Sequence, residues 1–171
     1  MALSMHQISV RLFLRHLRGL ATCLTKARTL YQEKKYDEST LIVYRLFPDM
    51  FEFARQVRAA TTHARTCTEL LSGTQGPKFD DNEKSLDELI ARVQKTIDYL
   101  NSVSAEQIDG SESKTVNIKI QGRELTMTGD DLLLKRSMPN FYFHVTTAYN
   151  VLRHNGVDLG KPDFLVGAAR D

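Results

Sequence analysis

The chain has 171 residues, a one-domain length that can bury a sizeable core, with 42% hydrophobic and 26% charged residues and no low-complexity tract. Its 23 basic and 21 acidic residues alternate along the sequence and leave a net charge of +2, which argues against a nucleic-acid binder with its clustered basic excess. No apolar run approaches the ~20 residues that span a bilayer, Arg11 and Arg15 interrupt the N-terminal apolar run as no signal peptide would, and Cys23 and Cys67 match no metal or CxxC spacing; a cytoplasmic protein without membrane contact is expected.

Helical periodicity predicts a first helix from about Ser4 to Lys34, carried by Val10, Phe13, Leu17, Leu20, Leu24, Ala27 and Tyr31. Charged residues after Lys34 predict a turn, and Leu41 to Phe47 leads as an apolar segment into the next element. Pro48 suits the first turn of a helix, where its missing N–H costs nothing, so a second helix is predicted from there to Ser72-Gly73. The Gly, Pro and Asp content of residues 73–82 predicts a loop. Helix three opens with a capping box, Ser85 three residues before Glu88, and continues on Leu86, Leu89, Ile90, Val93, Ile97 and Leu100.

Between Lys114 and Thr128 the apolar period changes to two. TVNIKI and RELTMT around Gln121-Gly122 predict a β-hairpin over about 114–128, marginal alone and so expected on the bundle or across a dimer. The last long segment opens at Gly129-Asp130-Asp131 and ends at Gly156, with Pro139 kinking or restarting the helix. Residues 157–171 read as an extended tail. These elements make a single all-α domain over 1–171, a four-helix bundle with a small β-hairpin inserted before the last helix, its topology left open.

The chemistry concentrates in PNFYFHVTTAYNVLRHNG, from Pro139 to Gly156. Asn140, His144 and Thr147 share one helical stripe that is otherwise apolar. A polar triplet there is either a core histidine paired to a neighbour or the wall of a site. On helix two, Asp49, Gln56 and His63 are each seven apart and share a face, with Glu52 and Arg55 close by. Asp49 directly after Pro48 also suits the helix dipole, and Arg55, Arg58 and Arg65 read as a solvated face.

If the two helices face each other, His144 is the candidate acid/base, with Asp49 as the residue that orients it. Asn140 and Gln56 are candidate hydrogen-bond donors to a substrate oxygen, and Thr147, Tyr142 and Tyr149 candidate pocket residues. No GxSxG, P-loop, GxGxxG, HExxH or EF-hand pattern is present, which disfavours covalent and nucleotide chemistry.

The long first helix, PDMFEFARQV, the hairpin before helix four and PNFYFHVTTAY with LRHNGV and LGKPDF resemble an uncharacterised branch of the DinB/YfiT-like superfamily over nearly the whole chain. That resemblance implies a four-helix bundle, often a homodimer. Many members hold a divalent metal with three histidines, one on helix two and an HxxxH pair on helix four. Aligned on Leu152-Arg153 and Gly156, the second histidine of the pair falls on His144, the first on Asn140, and the helix-two ligand at or near Gln56. One of three ligands remains, fewer than zinc requires. No cofactor is therefore expected, and the expected function is metal-independent acid/base chemistry, of isomerase, dehydratase or cyclase type, on a small organic metabolite. A divalent-metal transferase or hydrolase and a non-catalytic dimeric binding module are the alternatives.

Overall fold

The computed structural model describes residues 3–120 and 122–166. In chain order, a π-helical turn at Gln7–Arg11 runs into α1 (Leu12–Lys34), followed by short α2 (Glu38–Ile42) and the long α3 (Phe53–Ser72) and α4 (Leu86–Asn101). A one-turn α5 (Ala105–Ile108) leads to the hairpin strands β1 (Thr115–Ile120) and β2 (Arg123–Thr128). After it come α6 (Gly129–Asp131), a π-helical segment at Leu132–Ser137, α7 (Met138–His154) and α8 (Lys161–Val166). The bundle consists of α1, α3, α4 and α7. Both α1 and α3 pack against α4 and against α7, which closes the ring in the order α1, α4, α3, α7. Among the described residues, no helix is long and apolar enough to cross a membrane.

The core is the meeting of four helical stripes. Phe13, Leu17, Leu20, Leu24 and Ala27 of α1, Phe53, Val57, Ala60 and Ala64 of α3, Leu86, Leu89, Val93 and Leu100 of α4, and Phe141, Val145, Ala148 and Val151 of α7 are all buried. Their spacings of three, four and seven keep each set on one face. Ser85 caps α4 as its sequence predicts: its side chain accepts from the Glu88 N–H while the Glu88 carboxylate accepts from the Ser85 N–H. Gly73 ends α3 in the left-handed region at φ 77°. The antiparallel hairpin pairs Thr115 with Thr128 and Ile120 with Arg123. It lies on the bundle through one face, Val116 being buried and Ile118 and Met127 packed against the core. Gln121, one of the two predicted turn residues, lies outside the described residues.

Two expectations change and one holds. Pro48 does not open α3. It is the second residue of a β-turn closed by the Met50 N–H on the Phe47 carbonyl at 3.0 Å, and α3 begins five residues later, at Phe53. The fixed φ of proline serves the second turn position as well as the first turn of a helix, and the sequence pattern does not separate the two. Pro139 coincides with a restart of helix four, as expected: α7 begins at Met138 with the proline in its first turn. The preceding residues form a π-helical segment in which the Met138 N–H reaches back five residues to the Leu133 carbonyl. That wider turn makes room where the proline ring would meet the carbonyl four residues before it. Residues 161–166, predicted as part of an extended tail, form α8 against α1. Gly19 makes this possible, since a Cβ there would stand 2.5 Å from the Phe164 carbonyl oxygen. Arg15 Nε donates to the Leu165 carbonyl, and Lys26 pairs with Asp163 at 2.9 Å.

A buried cation ties α4 to α3 and to the loop between them. Arg92 is 2% exposed, and its Nη1 pairs with Asp81 at 2.6 Å and Glu83 at 2.8 Å. Its Nε donates to Thr61 Oγ1 at 2.7 Å, its Nη2 to Thr62 Oγ1 at 3.1 Å, and the Phe79 ring lies under the guanidinium at 4.1 Å. Arg58 Nε donates to the other Glu83 oxygen at 2.8 Å. Burial opposes ionisation of Glu83, but the hydrogen bonds and charge of Arg92, joined by Arg58, hold its carboxyl below the usual range. Breaking such a buried pair from one side strands the other charge. Arg92→Leu is expected to lower the unfolding free energy by about 3–5 kcal/mol, read from urea denaturation. Because the folded-state pKa of Glu83 is depressed, its contribution is present above the ordinary carboxylate pKa and lost as pH falls through the folded value; Glu83→Gln should remove that part of the acid sensitivity.

Candidate functional site

His144 projects from α7 toward α3, where Gln56 waits one turn inside the helix. His144 Nδ1 and Gln56 Oε1 are 2.7 Å apart, and Gln56 Nε2 donates to the Phe51 carbonyl at 3.0 Å. This chain has one self-consistent proton assignment. A backbone carbonyl only accepts, so the amide must present its NH2 to Phe51 and its oxygen to the imidazole. The imidazole must then carry its proton on Nδ1. Nε2 keeps its lone pair and has no hydrogen-bond partner among the described residues.

The two groups border a cavity of about 340 Å³ lined by Asp49, Met50, Phe51, Gln56, Asn140, Phe143 and His144. Aromatic rings confine the imidazole. Phe51 lies parallel to it at 5.9 Å, His63 nearly parallel at 5.8 Å, and Phe143 meets it edge-on at 5.3 Å. Burial lowers the His144 pKa below its ordinary 6.5, and the nearby Arg55 charge lowers it further. The same burial, followed by the charges of His144 and Arg136, brings His63 down to about 4. Both rings are neutral bases at neutral pH.

The other predicted site residues separate into groups. Asn140 does line the cavity, with its Nδ2 donating to the Arg136 carbonyl at 2.7 Å, so one N–H and the amide oxygen remain. Asp49 also lines it, but from the β-turn rather than from a helix, and the hydrogen bond expected from it to His144 is made by Gln56 instead. Gln56 also lines the cavity, 1% exposed, with both ends of its amide engaged by His144 and Phe51. Thr147 is buried and donates to the Phe143 carbonyl at 2.7 Å, one turn beyond the cavity. Tyr142 and Tyr149 sit on the far side of α7, Tyr142 against His16 at 4.8 Å and Tyr149 against Phe164 at 5.8 Å. At about 100° per residue Tyr142 is some 200° around the helix from His144, so the spacing itself separates them.

The sequence reading missed Met50 and Phe51 as walls, because nothing local marks the turn as facing α7. His63 had a signal, its seven-residue step from Gln56, and it stands beside His144 as that step requires. Of the three arginines read as a solvated face, Arg58 and Arg65 are in ion pairs, while Arg55 stacks over Phe51 at 3.6 Å.

The profile of one family, described as Domain of unknown function (DUF1993), matches residues 5–165. A crystal structure of a DinB family member protein from Shewanella denitrificans is 34% identical, with a TM-score of 0.82 over 97% of this chain and 94% of that one. The chain belongs to the DUF1993 family, within the DinB-like superfamily. No curated protein matches it.

For this DUF1993 chain the metal that the superfamily resemblance implies can be tested against the donors. Positions 56, 140 and 144 do converge on one cavity, as the alignment of ligand positions requires. They supply one imidazole and two carboxamides, and the Gln56 oxygen is already an acceptor for Nδ1. Among the described residues no three His, Cys, Asp or Glu side chains are gathered to hold an ion. Carboxamides are poor partners for zinc or nickel, so the residues present do not fit such a metal. Gln56→His with Asn140→His is expected to bind close to one equivalent of zinc where the parent chain retains none, as measured by elemental analysis of untagged protein after dialysis. A double variant as metal-free as the parent would show that the three positions do not converge.

The depressed histidines also predict acid sensitivity. A group whose folded pKa lies below its unfolded value takes up protons on unfolding, so stability falls as pH drops below 6.5 and continues to fall toward the folded value, about 4 for His63. His63→Phe is expected to flatten the slope of Tm against pH between those limits. An unchanged slope would mean that His63 is not held neutral by its surroundings.

Proposed function

We propose that the chain binds a small organic molecule in the His144 cavity and performs metal-independent acid/base chemistry on it, of isomerase, dehydratase or cyclase type. One observation carries this reading: a buried imidazole with Nδ1 bound through Gln56 and Nε2 unpartnered, beside a 340 Å³ cavity walled by Met50, Phe51 and Phe143. A histidine serving only the core would have both nitrogens paired or packed. Here one nitrogen is held and the other is left as a base.

In this reading His144 Nε2 takes a proton from a carbon or hydroxyl of the bound molecule. Gln56 stabilises the imidazolium that forms, because its oxygen keeps accepting from Nδ1 throughout. The remaining Asn140 N–H supports a developing negative charge on a substrate oxygen. Asp49, the one carboxylate of the lining, carries the second proton. The apolar walls Met50, Phe51 and Phe143 supply the surface against which an organic molecule can pack.

The test is proton exchange. A panel of small carbonyl and hydroxy compounds is incubated with the protein in D2O and followed by NMR for deuterium gained at carbon. His144→Ala should slow exchange of any responsive compound by about 10²–10⁴, and its rate should rise with pH to a plateau reached by neutrality, since the His144 pKa is lowered. Exchange by His144→Ala at the parent rate would sink the assignment.

A further inference from the structure

The cavity wall opposite α7 belongs to a closed loop. The Phe53 N–H donates to the Tyr44 carbonyl at 2.8 Å, joining the ends of a ten-residue segment, 44–53, in the manner of an Ω-loop. Asp49, Met50 and Phe51, three of the seven lining residues, all lie on it. Its apolar tip is not packed: Leu46 is 41% and Phe47 63% exposed. Polar ties hold it instead. Arg45 Nη1 donates to the Met50 carbonyl and Arg45 pairs with Glu52 at 3.7 Å, inside the loop. Outward, Gln56 Nε2 holds the Phe51 carbonyl, while the Phe51 ring lies between Arg55 and His144.

That outward tie is the same amide that sets the proton on His144. We infer that the 44–53 loop is the positioning element of the base: the Phe51 carbonyl, through Gln56, decides which nitrogen of His144 carries the lone pair. With the loop seated, the amide is locked with oxygen toward Nδ1, and Nε2 is the base. With the loop lifted, the Phe51 carbonyl no longer constrains the amide, which can turn and present its NH2 to Nδ1. Nδ1 must then accept. Its proton leaves to solvent, solvent returns one to Nε2, and the imidazole stays neutral with no lone pair left toward the cavity. Loop seating and base formation are thus one equilibrium. A segment with an exposed apolar tip and few ties belongs to the low-stability end of the structure, where such openings occur. The device rests on the reading of His144 as the base, but it is tested without turnover.

Because coupling between two sites is reciprocal, it is tested from both ends. Long-range 1H–15N spectra of the 15N-labelled full chain report the tautomer of His144, and hydrogen exchange reports the loop. In the parent, His144 should be the Nδ1–H form. Arg45→Ala, an exposed change inside the loop, should speed amide exchange in residues 45–52 by roughly fivefold or more. It should also bring up the Nε2–H form, with exchange in α3 and α7 unchanged. Gln56→Met, which removes the tie from the other end, should speed exchange in the same loop residues. The inference is overturned if the parent is the Nε2–H form, if Arg45→Ala leaves the tautomer untouched whether or not loop exchange rises, or if Gln56→Met leaves loop exchange unchanged. The last two outcomes would leave the reading of His144 as the base standing, whereas an Nε2–H parent would overturn both; failure of the deuterium-exchange test alone would leave the coupling intact.

Discussion

Gln56 Oε1, 2.7 Å from His144 Nδ1, satisfies a buried imidazole nitrogen from the one element placed to reach it, and the rest of the site is arranged around that contact. An unpaired imidazole N–H at this depth would cost on the order of 1–3 kcal/mol, comparable to a sizeable share of a domain's net stability. The amide removes that cost and, by donating to Phe51, transmits a direction as well: oxygen one way, NH2 the other. A carboxylate in the same place would also pair with Nδ1, but it would draw the imidazole toward its charged form. A carboxamide orients without charging. Together with burial it leaves His144 neutral, with the lone pair on the nitrogen that no described residue engages.

Two features outside the cavity bear on the two helices that carry this contact. On the side of α3 toward α4, Arg92 binds Thr61 and Thr62 directly and reaches Arg58 through Glu83, while the opposite side of the same helix carries Gln56 and His63. On α7, a π-helical segment precedes Pro139, which sits in the first turn of the α-helix that carries Asn140 and His144. The 44–53 loop is tied mainly by hydrogen bonds and ion pairs, and its apolar tip is exposed.

Membership of the DinB-like superfamily gives the fold a context and sharpens what is distinctive here. The same three positions that the resemblance assigns to a metal meet on one cavity, yet two of them are carboxamides. At the helix-two position the amide of Gln56 supports His144 through its oxygen and holds the Phe51 carbonyl through its NH2. Convergence of the positions follows from the bundle. What they do follows from the side chains.

Much of this was legible in the chain. The stripes of α1 and α4, the Ser85–Glu88 box and the alternating hairpin are local patterns that each determine a local structure, and the seven-residue steps from Gln56 to His63 and the stripe from Asn140 to His144 determine which side chains share a face. Sequence alone could not choose between helix and turn at Pro48, because the same φ suits both, nor find α8, whose docking depends on Gly19 lying under a backbone more than a hundred residues away. It also made Asp49 the partner of His144, since a carboxylate next to a histidine is chemically reasonable at any spacing. Only the tertiary structure, by folding residues 44–53 back onto α3 and closing the ring of helices, decided that Gln56 fills that place. Periodicity fixes the face a residue occupies. Which residue meets it from the other side is set by packing between elements far apart in the chain.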